Sequence, residues 1–346
     1  MSTYHTDQDN QNILKLREML KTLPQFAAGF FRSLGDQTAT LTRLGYAYDL
    51  RIFFKFLSEE VFYVPVLQIT VEKMREVESD DIEEFMEYLT YYVPAESPET
   101  AVKNAAAGKS RKLAAVRVFF KYLYKKKLIL ANPAELIDFP KMNEKTITTL
   151  ETNEIARLLD EIDSGENLTE RQKVFHEKTR LRDAAIITLL LGTGMRVSEC
   201  VGLNLRDIDF ETNGLRVRRK GGDEMILYFG DEVEAALFAY LDERDEAFPE
   251  KGHEDAVFLS LQNRRITTRQ IQKMVKKYAS LVTRLKNISP HKLRSTFGTQ
   301  LYAETSDIYL VANVLGHSDV NTTRKHYAKM DDTKRRKAAN VIRLRD

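Results

Sequence analysis

The stretch GLRVRRKGGDEMILYF, residues 214–229, carries the clearest strand signal in the chain. Leu215 and Val217 alternate with arginines, so apolar and charged side chains would fall on opposite faces of a strand. The sequence KGGD supplies the glycines of a tight turn, and residues 225–229 supply a returning strand. The pattern predicts one small antiparallel hairpin.

Helical patterns surround this hairpin on both sides. Upstream, RLRDAAIITLLLGTGM, residues 180–195, predicts a buried helix that Gly192 and Gly194 stop. Downstream, the residues from Asp231 to the end are predicted to be helical again. The second part of the chain is therefore expected to be mainly α with a small antiparallel β-sheet.

The first 143 residues are predicted to be all helical, because apolar residues recur at helical spacing throughout. SDDIEEFMEYL predicts a helix capped by Ser79, and TNEIARLLDEI, further along, predicts one capped by Thr152. Pro133 and Pro140 interrupt the periodic pattern between these helices. We place an interdomain linker near residues 139–148.

This linker divides the chain into a helical N-terminal domain, residues 1–140, and a second domain, residues 149–346. A length of 346 residues and an apolar content of 43% suit two packed domains. One cysteine permits no internal disulfide, which suits a cytoplasmic protein. There is no secretory signal pattern and no apolar run of about 18 residues, so no membrane span is expected.

The net charge of +2 hides two segregated blocks. Residues 59–99 hold two basic against twelve acidic residues, 2 − 12 = −10, and residues 100–143 hold ten against two, 10 − 2 = +8. The basic block centres on SRKLAAVRVFFKYLYKKK, a helix whose basic side chains fall off its apolar stripe: Arg111, Lys112, Arg117 and Lys121. Such a block indicates either an intramolecular pairing or a polyanion-binding face.

A second set of polar residues lies around HKLRST, residues 291–296. Pro290 at a helix start leaves His291 and Arg294 one turn apart on the same face. Arg196 follows the glycine-rich break upstream, with Glu199 three positions later. The hairpin turn, LGHSD and TTRKHY add further candidates: Lys220, His317 and Tyr327.

Two arginines, a lysine, two histidines and a tyrosine, almost without free carboxylates, fit a phosphoryl transition state. Guanidinium forks can hold its non-bridging oxygens in place of metal ions. Histidine can transfer protons near neutral pH, and tyrosine can act as nucleophile and leaving group. The sequence has no metal-binding motif, so we expect neither a metal nor a cofactor.

The chain resembles the tyrosine recombinases of the phage-integrase family, especially the Xer-like enzymes. The resemblance runs through LLLGTGMRVSECVGL, RKGGDEMILYF, SPHKLRSTFGTQL, LGHSDVNTTRKHY and the helices of the N-terminal domain, over roughly residues 25 to 330. It implies an all-helical core-binding domain followed by a mixed α catalytic domain. His317 and Tyr327 lie ten positions apart, one more than is usual in the family.

The resemblance also implies a role for each candidate. Arg196 and Arg294 would clamp the phosphate, and Lys220 would protonate the 5′-hydroxyl leaving group. His291 would assist proton transfer with the nucleophile, and His317 would complete the clamp. Tyr327 would form the 3′-phosphotyrosyl bond, in preference to Tyr302 and Tyr309, which fit an apolar helical pattern. Glu199 would orient the site by holding Arg196 or His291.

The function expected from the resemblance is site-specific DNA recombination through a Holliday junction. Its partners would be double-stranded DNA with inverted-repeat core sites, a second copy at each site, a tetramer in synapsis and possible accessory proteins. The basic face 109–127 would lie on DNA. Only a short helix precedes residue 25, which favours Xer-like chromosome-dimer resolution or simple mobile-element integration and excision.

Two alternatives stay open at this point. One is DNA relaxation by a type IB topoisomerase, and the other is a non-catalytic DNA-binding accessory protein. The tail DDTKRRKAANVIRLRD, residues 331–346, is basic and amphipathic. It would dock on its own domain or, as the resemblance favours, on the adjacent protomer.

Overall fold

The computed structural model describes residues 4–94, 99–142, 148–219, 222–283, 285–316 and 320. The chain divides into two compact units, Met1–Lys145 and Thr146–Asp346. The division falls inside the segment 139–148, where the sequence places a linker. Over the described residues the fold is mainly α with one small antiparallel sheet, which confirms the predicted class.

The described part of the first unit is built from six α-helices. They are α1 (Tyr4–Leu20), α2 (Ala27–Leu34), α3 (Thr40–Phe56), α4 (Val71–Glu76), α5 (Ser79–Tyr88) and α6 (Ala106–Lys125). Short 3₁₀ turns lie at Gly35–Gln37 and Val66–Gln68, and a π-helical turn at Leu57–Val61 continues from α3. A single isolated bridge, Tyr92 with Val102, is the one β-type pairing described there.

Phenylalanine rings fill the core of this unit. Phe53 packs edge-on against Phe85 with centroids 5.0 Å apart, and Phe54 packs edge-on against Phe119 at 5.6 Å. All four rings are fully buried. Edge-to-face aromatic pairs add stabilisation beyond burial of their area. The core therefore joins α3 to α5 and α6, as the apolar spacing predicted.

The predicted caps of α5 and of the first helix of the second unit are each wrong by one residue. Glu78 precedes α5, and its N–H donates to Asp81 Oδ2 at 2.8 Å. Glu151 stands in the same relation to Glu154, at 2.8 Å, before the helix Thr152–Ser164. Because the acid three positions on satisfies this donor, Ser79 and Thr152 become first helical residues instead of caps.

The described part of the second unit contains eight α-helices and three strands. The helices are α7 (Thr152–Ser164), α8 (Glu170–Glu177), α9 (Arg180–Thr193), α10 (Val197–Gly202), α11 (Asp231–Asp245), α12 (Thr268–Val282), α13 (Pro290–Thr305) and α14 (Ile308–Leu315). Helix α9 lies at the centre and packs against α7, α11 and α13. None of the helices described in either unit is long and apolar enough to cross a membrane.

The strands are β1 (Ile208–Asp209), β2 (Gly214–Arg218) and β3 (Glu224–Tyr228), paired antiparallel in that order. Leu215 faces Leu227 across β2 and β3, and Val217 faces Met225. The predicted hairpin is confirmed. Strand β1 was missed, because two residues are too few to show a period of two.

Gly194, rather than Gly192, ends α9. Gly194 has φ 63° and ψ 16°, the left-handed conformation that closes a helix. A Cβ there would also clash with the Phe297 ring. Gly192 stays helical, and its missing Cβ instead lets Val233 of α11 approach closely. The prediction that both glycines stop the helix is therefore wrong for Gly192.

The segment between α11 and α12, residues 246–267, is irregular, so the prediction of continuous helix after Asp231 is wrong there. Gly252 at φ 90° and Asn263 at φ 52° turn the chain in this segment. Isolated bridges join Asn204 to Ala256 and Leu259 to Arg265. Turn residues thus interrupt the helix that was predicted to continue through this segment.

Candidate active site

Arg196 lies at the start of α10 and is held there by Glu199. The backbone N–H of Arg196 donates to Glu199 Oε2 at 2.7 Å, and its Nη1 donates to Oε1 at 2.8 Å. The Glu199 side chain is 3% exposed, whereas that of Arg196 is 32% exposed. Of the two partners that the sequence suggested for Glu199, the described contact is with Arg196. The carboxylate fixes the guanidinium while leaving part of it accessible.

Arg294 lies in α13, which begins at Pro290 as predicted. Its guanidinium is buried, and Nη1 donates to the carbonyl of Gly194 at 2.7 Å. Nη2 donates to the carbonyl of Leu315. The residue that ends α9 therefore also receives Arg294, and it stands two positions before Arg196 in the chain.

Both arginines meet at the carboxyl end of α14. Arg196 Nη2 donates to the carbonyl of Gly316 at 3.0 Å, next to the Leu315 carbonyl that Arg294 binds. The last carbonyls of a helix have no partner within the helix and carry partial negative charge. Guanidinium groups give these carbonyls both hydrogen-bond donors and a compensating positive charge. The two arginines, 98 positions apart in sequence, thus become neighbours through one helix end.

Arg219 is a third arginine at this place, and it is not among the residues predicted from the sequence. Its Nη2 donates to the carbonyl of Val314 at 2.7 Å, and its Nη1 lies 3.5 Å from the carbonyl of Asn313. Burial lowers the pKa of Arg219 below its ordinary value, and the nearby charge of Glu199 opposes that shift. The pattern RVRR places arginines on a strand face, but it contains no signal for a contact 95 residues away.

Of the other predicted catalytic residues, the structure describes His291. His291 lies one turn before Arg294 in α13, with an exposed side chain. Lys220, His317 and Tyr327 lie outside the described residues, as does the tail 331–346. Their assignments stay predictions.

Tyr302 and Tyr309 were predicted to belong to an apolar core. Tyr302 is partly buried and packs against the apolar pair of α14, Val311 and Leu315. Tyr309 is 72% exposed, so its prediction as a core residue is wrong. It lies in the first turn of α14, where the backbone N–H of Tyr309 donates to the capping Asp307 side chain.

The predicted basic face of α6 is only partly exposed. Arg111 forms an ion pair with Asp49, whose side chain is 1% exposed. Lys112 is buried and donates to Asn104 Oδ1 at 2.8 Å, so its prediction as part of an exposed face is wrong. Arg117 lies over the ring of Phe139 at 5.0 Å, and Lys121 is exposed.

Two other titratable residues in the second unit are structural. Cys200 is fully buried, which raises the pKa of its thiol and makes it a poor nucleophile. The Nδ1 of His176 lies 3.0 Å from the hydroxyl of Tyr278. That hydroxyl donates to the buried Asp183. Burial lowers the pKa of His176, so the neutral ring is favoured.

The arrangement is suited to binding a multiply charged oxyanion. Arg196 and Arg294 contribute a formal charge of +2 and Glu199 contributes −1, giving 2 − 1 = +1. Most of the contacts to these guanidiniums come from neutral carbonyls, so their charge is fixed in place without being cancelled. Fixed cationic donors in a partly desolvated site are what stabilises charge that develops on a phosphoryl group.

The matching family model is that of the phage integrase family, and it covers residues 148–334. The chain is 35% identical over 309 residues to "Tyrosine recombinase XerC" of Caldanaerobacter subterraneus subsp. tengcongensis, covering 85% of this chain and 79% of the relative. It is 31% identical over 303 residues to the protein of the same name from Syntrophus aciditrophicus, covering 86% and 90%.

Two solved structures share the fold. The XerH recombinase bound to a palindromic difH substrate matches with a TM-score of 0.65 and 24% identity, over 88% of this chain and 81% of the other. The Tn1549 transposon integrase in complex with circular intermediate DNA matches with a TM-score of 0.63 and 21% identity, over 88% and 94%. The chain belongs to the phage integrase family, the tyrosine recombinases, which are DNA strand-exchange enzymes with a tyrosine nucleophile.

Proposed function

We propose that this protein is a site-specific recombinase that cleaves and rejoins DNA strands through a 3′-phosphotyrosyl intermediate. The observation that supports it most is the meeting of Arg196 and Arg294 on the adjacent carbonyls of Gly316 and Leu315. Those carbonyls immediately precede His317 in the sequence. Two arginines aimed at one helix end offer a clamp for the scissile phosphate.

In the proposed reaction, the hydroxyl oxygen of Tyr327 attacks the phosphorus, and the bond from phosphorus to the 5′ oxygen breaks. His291 assists transfer of the phenolic proton, and Lys220 gives a proton to the departing 5′ oxygen. The bond energy is retained in the phosphotyrosine. Attack by a 5′ hydroxyl from the other duplex reverses these steps, so no external energy source is needed.

The clamp acts on the charge of the transition state. As phosphorus becomes five-coordinate, negative charge grows on its two non-bridging oxygens. Arg196 and Arg294 would donate to these oxygens from positions that Glu199, Gly194 and the end of α14 already fix. Preorganised donors do not need to reorient during the reaction, which is why they lower its barrier.

The finer proposal is Xer-like strand exchange through a Holliday junction, serving chromosome-dimer resolution or integration and excision of a mobile element. It rests on the identity of 35% to a protein named tyrosine recombinase XerC. The substrate would be double-stranded DNA with inverted-repeat core sites, bound by two copies per site and four in synapsis. We place this activity in the cytoplasm.

A nicked suicide duplex that traps the covalent complex tests the chemical step. The wild-type protein should become attached to the 3′ end, and Tyr327→Phe should bind DNA nearly as tightly but form no covalent complex. We expect the attachment to proceed in EDTA, because guanidiniums supply the charge stabilisation. A strict metal requirement for cleavage would contradict the mechanism.

Exchange between two plasmid-borne sites tests the outcome of the reaction. Recombinant plasmids that appear with the wild type and not with Tyr327→Phe support the proposal. Relaxation of supercoils without exchange would indicate a topoisomerase instead. DNA binding without any covalent complex would indicate an accessory protein.

A further inference from the structure

Arg219 stands where β2 ends and the loop to β3 begins. Its backbone N–H donates to the carbonyl of Asp223 at 2.7 Å, and its carbonyl accepts from the N–H of Gly222 at 3.1 Å. Both backbone groups of residue 219 therefore bond to the described residues that follow positions 220 and 221. The intervening sequence contains Lys220.

The side chain of Arg219 leaves this loop and reaches the carboxyl end of α14. It donates to the Val314 carbonyl at 2.7 Å and lies 3.5 Å from that of Asn313. A Cβ at Gly316, which has φ 60°, would overlap the guanidinium of Arg219. The guanidinium thus occupies space that only a glycine at position 316 leaves open.

Three arginines consequently share the last four carbonyls of one helix end. Arg219 takes those of Asn313 and Val314, Arg294 takes that of Leu315, and Arg196 takes that of Gly316. Arg196 and Arg294 come from elements already assigned to the phosphate clamp. Arg219 is the one that comes from the hairpin loop, so it links this loop to the clamp.

We infer that Arg219 is a positioning residue that fixes the β2–β3 loop against the carboxyl end of α14, and so places the leaving-group acid relative to the arginine clamp. This inference rests on the proposed function. The two-pronged contact suits the task, because a planar guanidinium bound to successive carbonyls fixes direction as well as distance. Lysine could reach one carbonyl but could not fix that direction.

Loss of Arg219 should impair protonation of the leaving group but not binding of the phosphate. A change of the leaving atom distinguishes these two effects. Replacing the scissile 5′ oxygen with sulfur produces a thiolate, whose conjugate acid has a pKa near 8.5 in ordinary thiols. A thiolate therefore departs without a proton donor, whereas an alkoxide needs one. The arginine clamp remains necessary for both substrates.

The experiment measures single-turnover cleavage of matched suicide duplexes, with oxygen or sulfur at the scissile 5′ position. Arg219→Ala should slow cleavage of the oxygen duplex roughly 10- to 100-fold, part of what a positioned proton donor contributes, and leave the sulfur duplex nearly unaffected. Arg219→Lys should be intermediate. Arg218→Ala is the matched control, since Arg218 is exposed on β2 and its loss removes the same charge.

The ratio of the two rates within each variant is independent of the fraction that is folded. An equal loss on both duplexes would place Arg219 in the phosphate clamp and overturn the inference, as would unchanged rates on both or an equal oxygen-specific loss in Arg218→Ala. A wild-type protein that cleaves neither duplex would instead refute the proposed recombinase activity, and the inference with it.

Discussion

Arg294 in the second unit and Arg111 in the first unit are held by different kinds of acceptor. At the end of α14, Arg294 is buried and donates to the carbonyls of Gly194 and Leu315. In α6, Arg111 is paired with Asp49, a carboxylate that the first unit buries. A carbonyl positions a guanidinium without cancelling its charge, whereas a carboxylate cancels it. Equal residue types thus leave unequal charge available for a phosphate.

The surroundings of Arg294 favour a role in catalysis, whereas those of Arg111 favour a structural role. Around Arg294 the fold supplies backbone carbonyls, and the one described carboxylate in this group, Glu199, is hydrogen-bonded to Arg196. Around Arg111, burial raises the pKa of Asp49, while the charges of Arg111 and Lys112 oppose that shift. The first arrangement is preorganised for a transition state. The second joins two helices and reduces the charge that Arg111 offers to DNA.

The strongest test removes an arginine from the carbonyl-bound group. Arg294→Ala should slow single-turnover cleavage by about a hundred- to a thousand-fold, because a fixed donor to the developing charge is lost. Arg196→Ala should fall in the same range. The measurement is the rate of covalent-complex formation at saturating DNA.

Arg244→Ala provides the matched control for burial. Arg244 is also buried in the second unit and donates to the carbonyls of Ala256 and Glu254. Its loss should lower the free energy of unfolding by about 1–3 kcal/mol, the cost of stranded buried acceptors, without slowing cleavage by folded protein. If Arg244→Ala slowed cleavage as much as Arg294→Ala, loss of structure rather than of a clamp would explain both.

A weaker effect is expected from the basic side of the first unit. Replacing Arg111, Arg117 and Lys121 together with alanine should reduce the dependence of log affinity on log salt by about 0.9 for each phosphate that these side chains neutralise. Lys112→Met is the control, because Lys112 is turned inward to Asn104. It should leave the salt dependence unchanged. If the salt dependence changed with Lys112→Met but not with the triple variant, Lys112 rather than the other three residues would be the one that contacts DNA.

Lys112 also shows how far the sequence could predict this surface. Residues 112, 116, 119 and 123 follow helical spacing, so the lysine stands on the same stripe as three buried apolar residues. That spacing indicated that the Lys112 side chain is buried, whereas a lysine is usually exposed to solvent. The hairpin could be predicted more directly, because Leu215 and Val217 alternate with arginines and glycines follow them.

In the candidate site, one contact could be predicted from local spacing and another could not. The spacing of Arg196 and Glu199 favours their contact, because an acid at the third helical position can reach back to the residue that caps the helix. The contact of Arg219 with Val314 depends instead on how α14 packs near the hairpin and on the space left by Gly316. No local period encodes a contact of that kind. Tertiary packing decided it, as it decided that Tyr309 is exposed.

The smallest effect is expected when Asp49, which cancels the charge of Arg111, is replaced by a neutral residue. Asp49→Asn keeps the shape of the buried side chain but removes the negative charge that faces Arg111. Because the Arg111 side chain is 57% exposed, its guanidinium stays hydrated in this variant, and we expect the free energy of unfolding to change by no more than about 1 kcal/mol. DNA affinity should rise a few-fold, and the salt dependence should steepen by up to about 0.9 if Arg111 then meets a phosphate.

Titrations of the wild type, Asp49→Asn, Arg111→Ala and the double variant at several salt concentrations measure this coupling between Asp49 and Arg111. Cleavage at saturating DNA should be unchanged in all four proteins, since both residues belong to the first unit and not to the carbonyl-bound group. An Asp49→Asn gain that persisted in the Arg111→Ala background would show that Asp49 acts on DNA binding through another route. The comparison between the two arginines would then lose its electrostatic basis.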